Sequence, residues 1–97
     1  MKDINAIITS ADVRFFPELD ANQIELTLQF SNGTGLLRVP MCNNSMYSIY
    51  NLFSKNSIND LNGQYCRVIM DELTGRIDGI KNIIYDDRGE LQDNPVA

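Results

Sequence analysis

The sequence predicts a small α+β domain: an antiparallel sheet of about five strands, ordered β-β-β-α-β-β, packed on one amphipathic helix and either open or curled into a small barrel. Three observations carry this. Gln23 to Ser31, "QIELTLQFS", alternates Ile24, Leu26, Leu28 and Phe30 with polar neighbours, the pattern of a strand with one face on a core and one in water. Met46, Ile49, Tyr50 and Phe53 then fall at i, i+3, i+4 and i+7, which is helical spacing. Alternation returns in "QYCRVIMDE", where Cys66, Val68 and Met70 form an apolar face.

The elements follow in order. Ile4 to Phe16 is rich in β-branched and aromatic residues, with Ile7, Thr9, Ala11, Val13 and Phe15 on one face of a first strand. "PELDAN", from Pro17 to Asn22, reverses the chain, because proline fixes φ and Asp and Asn tolerate turns. The alternating strand comes next, then Leu36 to Met41 as a third, with Leu37, Val39 and Met41 on one face and Pro40 marking an end or an edge.

Between these two strands lies Ser31-Asn32-Gly33-Thr34-Gly35. A phosphate loop needs a helix after it to receive the anion, or a Gly-Lys-Ser/Thr ending, and here a strand follows. Asn-Gly instead predicts a hairpin turn with positive φ at both central positions. Gly35 exceeds that need and marks a bulge, or a place where a partner's backbone comes close.

A helix of about three turns starts behind Asn44 or Ser45 as cap and ends near Asn56, its stripe covering the sheet and Tyr47 exposed beside it. "SINDLNG" turns into the "QYCRVIMDE" strand, with Cys66 inward as a small hydrophobe. Leu73 to Gly75 turns the chain again. In the last strand, "RIDGIKNIIYDD", the apolar phase switches between Ile77 and Ile80, so Gly79 is the site of a register-correcting bulge. Residues 1–85 thus form one domain, and 86–97, "DDRGELQDNPVA", lacks periodicity and reads as an acidic, mobile tail.

Composition narrows the function. The 97 residues carry eight Lys plus Arg against thirteen Asp plus Glu, a formal charge of -5. Arg14, Lys55, Arg67, Arg76, Lys81 and Arg88 are scattered among acids, so direct nucleic-acid binding is disfavoured and a partner with a basic surface is favoured. The chain has no histidine and two cysteines, which excludes the common zinc sets and Ser-His or Cys-His nucleophiles within one chain. No enzyme activity, cofactor or metal is expected. Asp71, Glu72, Asp78, Asp86 and Asp87 lack the spacing of a calcium loop and read as solvated strand ends. No leader precedes Ile4, and no apolar run reaches the ~20 residues of a membrane helix, so a soluble cytoplasmic chain with unbridged Cys42 and Cys66 is expected. Tyr47, Tyr65 and Tyr85 with Phe15 or Phe16 form a base-stacking platform only beside a cationic groove. With Arg14 and Arg67 they read instead as protein-interface anchors.

"TLQFSNGTGLLRVP", a helix, and "INDLNGQYCRVIMDELTGRIDGIKNII" together resemble small accessory proteins encoded by phages and prophages. The shared pattern is a first hairpin, a glycine-containing loop (Gly33, Gly35), a helix, a Leu-x-Gly element (Leu61-Asn62-Gly63), a second hairpin and an acidic tail. Small acidic members resemble inhibitors of host defence, anti-CRISPR proteins included. The resemblance implies a non-enzymatic inhibitor in the host cytoplasm that blocks a defence or nucleic-acid-handling protein by occupying its basic surface. The partner-binding residues expected are Glu18, Asp20, Asn32, Gly33, Gly35, Tyr47, Asp86 and Asp87. Two other readings stand beside it: a nucleotide-sequestering module built on Asn32 to Gly35 with Arg38, and a structural protein self-assembling through a sheet edge, a homodimer included.

Overall fold

The computed structural model describes residues 2–93. Its strands are β1 (Lys2–Phe16), β2 (Ala21–Phe30), β3 (Gly33–Pro40), β4 (Tyr65–Met70), β5 (Ile77–Lys81) and β6 (Glu90–Gln92). One helix, α1 (Asn43–Phe53), follows β3, and short 3-10 turns occupy Ile58–Leu61 and Asp86–Arg88. All six strands join one antiparallel sheet in the order β3-β2-β1-β4-β5-β6. The α+β class stands, with one correction, six strands rather than about five; of the two sheet forms left open, this sheet is not closed into a barrel.

The sixth strand lies within the segment expected to be a tail. Leu91 is its only apolar side chain, so three residues display no period, yet it pairs with Ile80 and is 4% exposed. Residues 94–97 of that segment lie outside the described residues.

β1 is the long central strand, and its two halves have different neighbours. Residues from Lys2 to Ile7 pair with β4, while Ala6 to Phe16 pair with β2. A bulge between Ile8 and Ser10 inserts Thr9 and switches which side chains face the core. Ala6 and Ile8 are buried before it and Ala11 after it, whereas Thr9, Val13 and Phe15 are exposed. The uninterrupted face expected from Ile7 to Phe15 is therefore wrong. The bulge is clasped by the chain before β4: Gly63 N–H donates to the Ile8 carbonyl at 2.7 Å, and Ile8 N–H donates to the Gln64 carbonyl at 2.8 Å.

The core joins Ile24, Leu26 and Leu28 of β2 and Leu37 and Val39 of β3 to Cys66, Val68 and Ile80 across the sheet, with Ile49 and Leu52 from α1 and Leu61 beneath. Alternation in β2 is as expected apart from Gln23, which is buried on the opposite face. The bulge at the start of β5 also holds, since the register shifts between its pairings with Ile69 and Met70 and leaves Asp78 as the extra residue beside Gly79. Gly79 serves a second purpose. A Cβ there would sit 2.9 Å from the Leu91 carbonyl oxygen, so a bare glycine is what lets β6 approach.

α1 begins after Cys42, with no side-chain cap, and ends at Ser54, whose φ of 57° is left-handed and whose N–H donates to the Tyr50 carbonyl at 2.7 Å. The helix has the expected three turns but starts and ends earlier, with Asn44 and Ser45 inside it; Ser45, Ile49 and Leu52 are buried, Met46 and Phe53 of the expected stripe pack partly buried against the core, and Tyr50 alone of that stripe turns outward. Glu90, Leu91 and Gln92 line a shallow groove with Asn44, Ser45 and Ser48, so the serine-bearing side of the helix lies toward the added strand.

Candidate functional site

α1 carries no charged residue, and its outward face presents Tyr47 and Tyr50, 69% and 52% exposed. The helix geometry places them one turn apart on the same side, followed by Asn51 and Ser54. The chain after β5 returns to this face. Tyr50, Asn51 and Ser54 line an open groove of about 350 Å³ with Asp87 and Arg88. Arg88 Nη1 donates to Ser54 Oγ at 3.2 Å, and its guanidinium lies 5.1 Å from the centre of the Tyr85 ring. Asn82 anchors the return by donating from Nδ2 to the Leu52 carbonyl at 2.7 Å, while its Oδ1 accepts the N–H groups of Ile84 and Tyr85. Ile84 and Tyr85 are thereby held outward. The result is one surface of Tyr47, Tyr50, Tyr85 and Arg88, with Asp87 at its margin.

The residues singled out in the sequence separate into three places. Tyr47 and Asp87 belong to the surface just described, and Asp86, next to Asp87 in the chain, turns toward Arg67 and Lys81 of the sheet. Glu18 and Asp20 occupy the tip of the β1-β2 hairpin, exposed, with Asp20 at a φ of 48°. Asn32, Gly33 and Gly35 lie at the other end of β2, about 30 Å away at the usual ~3.3 Å rise per residue.

The β2-β3 turn also differs from expectation. Phe30 pairs with Gly33, so the central residues are Ser31 and Asn32, and neither they nor Gly33 take positive φ. Gly35 forms no bulge and pairs regularly with Leu28. A Cβ on it would overlap Ile77 Cδ1, so the space that this glycine leaves is filled by a side chain of β5 from across the core. Arg38 is held by Glu25 and does not serve the turn.

Two ion clusters occupy the outer sheet face. Glu25 receives Arg38 Nε at 2.9 Å and Arg14 Nη1 at 3.4 Å, and both guanidiniums lie about 5.5 Å from the Phe16 ring centre. The Arg38 hydrogen bond, offset by burial and reinforced by Arg14, lowers the Glu25 pKa. Asp86 Oδ1 lies 3.2 Å from Arg67 Nη1 and 3.6 Å from Lys81 Nζ, which itself meets Asp3 Oδ2 at 2.9 Å. The Asp3 hydrogen bond raises the Lys81 pKa. Asp86 thus ties the post-β5 turn to the sheet, whereas Asp87 pairs with no cation among the described residues. No group of three or more Cys, Asp and Glu is arranged to hold a metal ion among the described residues.

Both thiols are free. Cys42 is exposed and lies 3.4 Å from Ser45 Oγ, whose hydrogen bond lowers its pKa; burial alone pushes Cys66 up to about 12. A thiol reagent at pH 8 should therefore modify one equivalent at once, at Cys42, and reach Cys66 only on unfolding. Two rapid equivalents in the folded protein would contradict this burial.

No known protein family, curated protein or solved structure matches this chain. No helix among the described residues is long and apolar enough to cross a membrane.

Proposed function

We propose that this chain is a non-enzymatic binding protein that docks a partner protein through the outward face of α1 and the turn after β5. The observation that supports it most directly is the composition of that surface. Tyr47, Tyr50 and Tyr85 stand exposed, Tyr50 in the groove with Arg88 and Tyr85 against its guanidinium, and Tyr and Arg are the residue types that supply most of the binding energy at protein interfaces. Ring faces offer large contact area with few torsions to freeze, and Asp87 with the net charge of -5 suits a basic partner. In this reading the chain is a phage-encoded accessory protein that inhibits a host defence or nucleic-acid-handling protein in the cytoplasm by occupying its basic surface. Glu18 and Asp20 act only at long range, through the overall field.

Affinity capture from a host lysate followed by binding kinetics tests this. Tyr47→Ala with Tyr50→Ala should weaken the captured complex at least about a hundredfold, as loss of two hot-spot residues does. Asp87→Lys should slow association and flatten its salt dependence. Asp86 is a poor choice for charge reversal because Arg67 and Lys81 depend on it. Unchanged affinity in the double tyrosine variant would remove this face from consideration.

A further inference from the structure

The second half of β1 has a strand neighbour on one side only, and the 3-10 turn at Ile58–Leu61 is the other element that packs near it. Pairing with β4 stops at Ile7, the clasp at Ile8 is the last backbone contact on that side, and among the described residues no strand pairs with that edge from Ser10 to Phe16. Every second residue of such a strand turns its N–H and C=O toward solvent. The end strands of the sheet differ: β3 faces β5 and β6 across the core, with Arg38 N–H donating to Asp93 Oδ1 at 3.0 Å, and β6 has three residues. Along the open edge, Val13 and Phe15 are 44% and 57% exposed. An open groove of about 360 Å³ separates Ala11, Asp12 and Val13 from Ser57, Ile58 and Asn59.

We infer that two copies of this chain pair edge to edge along β1, antiparallel about a two-fold axis at Val13, with Asp12 of each copy facing Arg14 of the other. Charge selects both the occupant and the register. Two-fold antiparallel pairing sets i opposite j with i + j constant, and only an even sum keeps the core faces of both copies on one side. Centring on Asp12 sets two carboxylates face to face, and centring on Arg14 sets two guanidiniums face to face. Centring on Phe15 brings Pro17, which lacks an N–H, opposite Val13. Centring on Val13 instead forms two Asp12-Arg14 pairs on the outer face, and joins Val13 to Val13 and Phe15 to Ala11 on the apolar one. The monomer leaves the Asp12 half of this arrangement unfinished, while Arg14 meets Glu25 at 3.4 Å through Nη1. Asp12 stands opposite the like-charged Glu25, its Oδ2 accepts only the Ser10 hydroxyl at 3.0 Å, and it pairs with no cation among the described residues.

The test is sedimentation velocity of the full-length chain across a dilution series, with thermal melting as a control for folding. The wild type should show a reversible monomer-dimer equilibrium. Asp12→Arg sets guanidiniums opposite one another twice and should weaken the dimer about tenfold to a hundredfold. Arg14→Asp should do the same with carboxylates. The double variant D12R/R14D restores both pairs with their signs exchanged, also places a cation opposite Glu25, and should dimerise as the wild type does. A chain monomeric up to about millimolar concentration, where even weak pairing of this kind shows, overturns the proposal. A dimer indifferent to D12R, or one that D12R breaks and D12R/R14D fails to restore, overturns it equally.

Discussion

Leu91→Ala should destabilise the fold by about 2–5 kcal/mol, the usual cost of removing a buried leucine side chain. For a domain of this size that corresponds to a fall in melting temperature of roughly 10 °C or more. The side chain is 4% exposed, is paired with Ile80, and belongs to the same core as Leu37 and Leu52. Glu90→Ala, one residue away and exposed, should change stability by no more than about 0.5 kcal/mol. The contrast matters because a tail that merely follows the domain would be indifferent to both substitutions. Equal melting temperatures for the wild type and L91A would remove β6 from the fold.

Gly35→Val should cost about 1–3 kcal/mol by overpacking, although valine is the better strand former. The new Cβ overlaps Ile77 Cδ1 and stands 3.4 Å from its Cγ1, so Ile77, only 7% exposed, must take another rotamer inside the core. If this contact is the cause, the two positions must be coupled. Ile77→Ala destabilises by itself, but G35V in that background should cost about 1 kcal/mol less than in the wild type, or more, as contacting residues in a double-mutant cycle do. Additive effects would place the importance of Gly35 elsewhere and return the β2-β3 turn to consideration as a binding loop. Chemical denaturation of the four proteins decides the matter.

Much of the candidate surface was invisible before folding. Tyr47 was legible as exposed because it falls off the helical stripe, but Tyr50 sits at a core-like spacing and emerges because Ser45 and Leu52, with Ile49, take the buried side of the helix. Nothing local places Tyr85 and Arg88 beside α1; they arrive through Asn82 bonding to Leu52 and Arg88 bonding to Ser54, contacts between residues far apart in the chain. Asp86 and Asp87 look alike in sequence and differ in the fold, one tied to Arg67 and Lys81 and the other unpaired among the described residues.

By itself the sequence determined the features that depend on near neighbours: the strand character of β2 from strict alternation, α1 from its change of period, the inward Cys66 face of β4 and the bulge beside Gly79. Each reports a preference that a few adjacent residues express unaided. Only the tertiary structure decided the phase switch at Thr9, the addition of β6, the open sheet and the purpose of Gly35. A bulge leaves no mark until the partner strand fixes a register, and a three-residue strand is too short to show a period. The space that Gly35 leaves has meaning only once Ile77, distant in sequence, comes to occupy it.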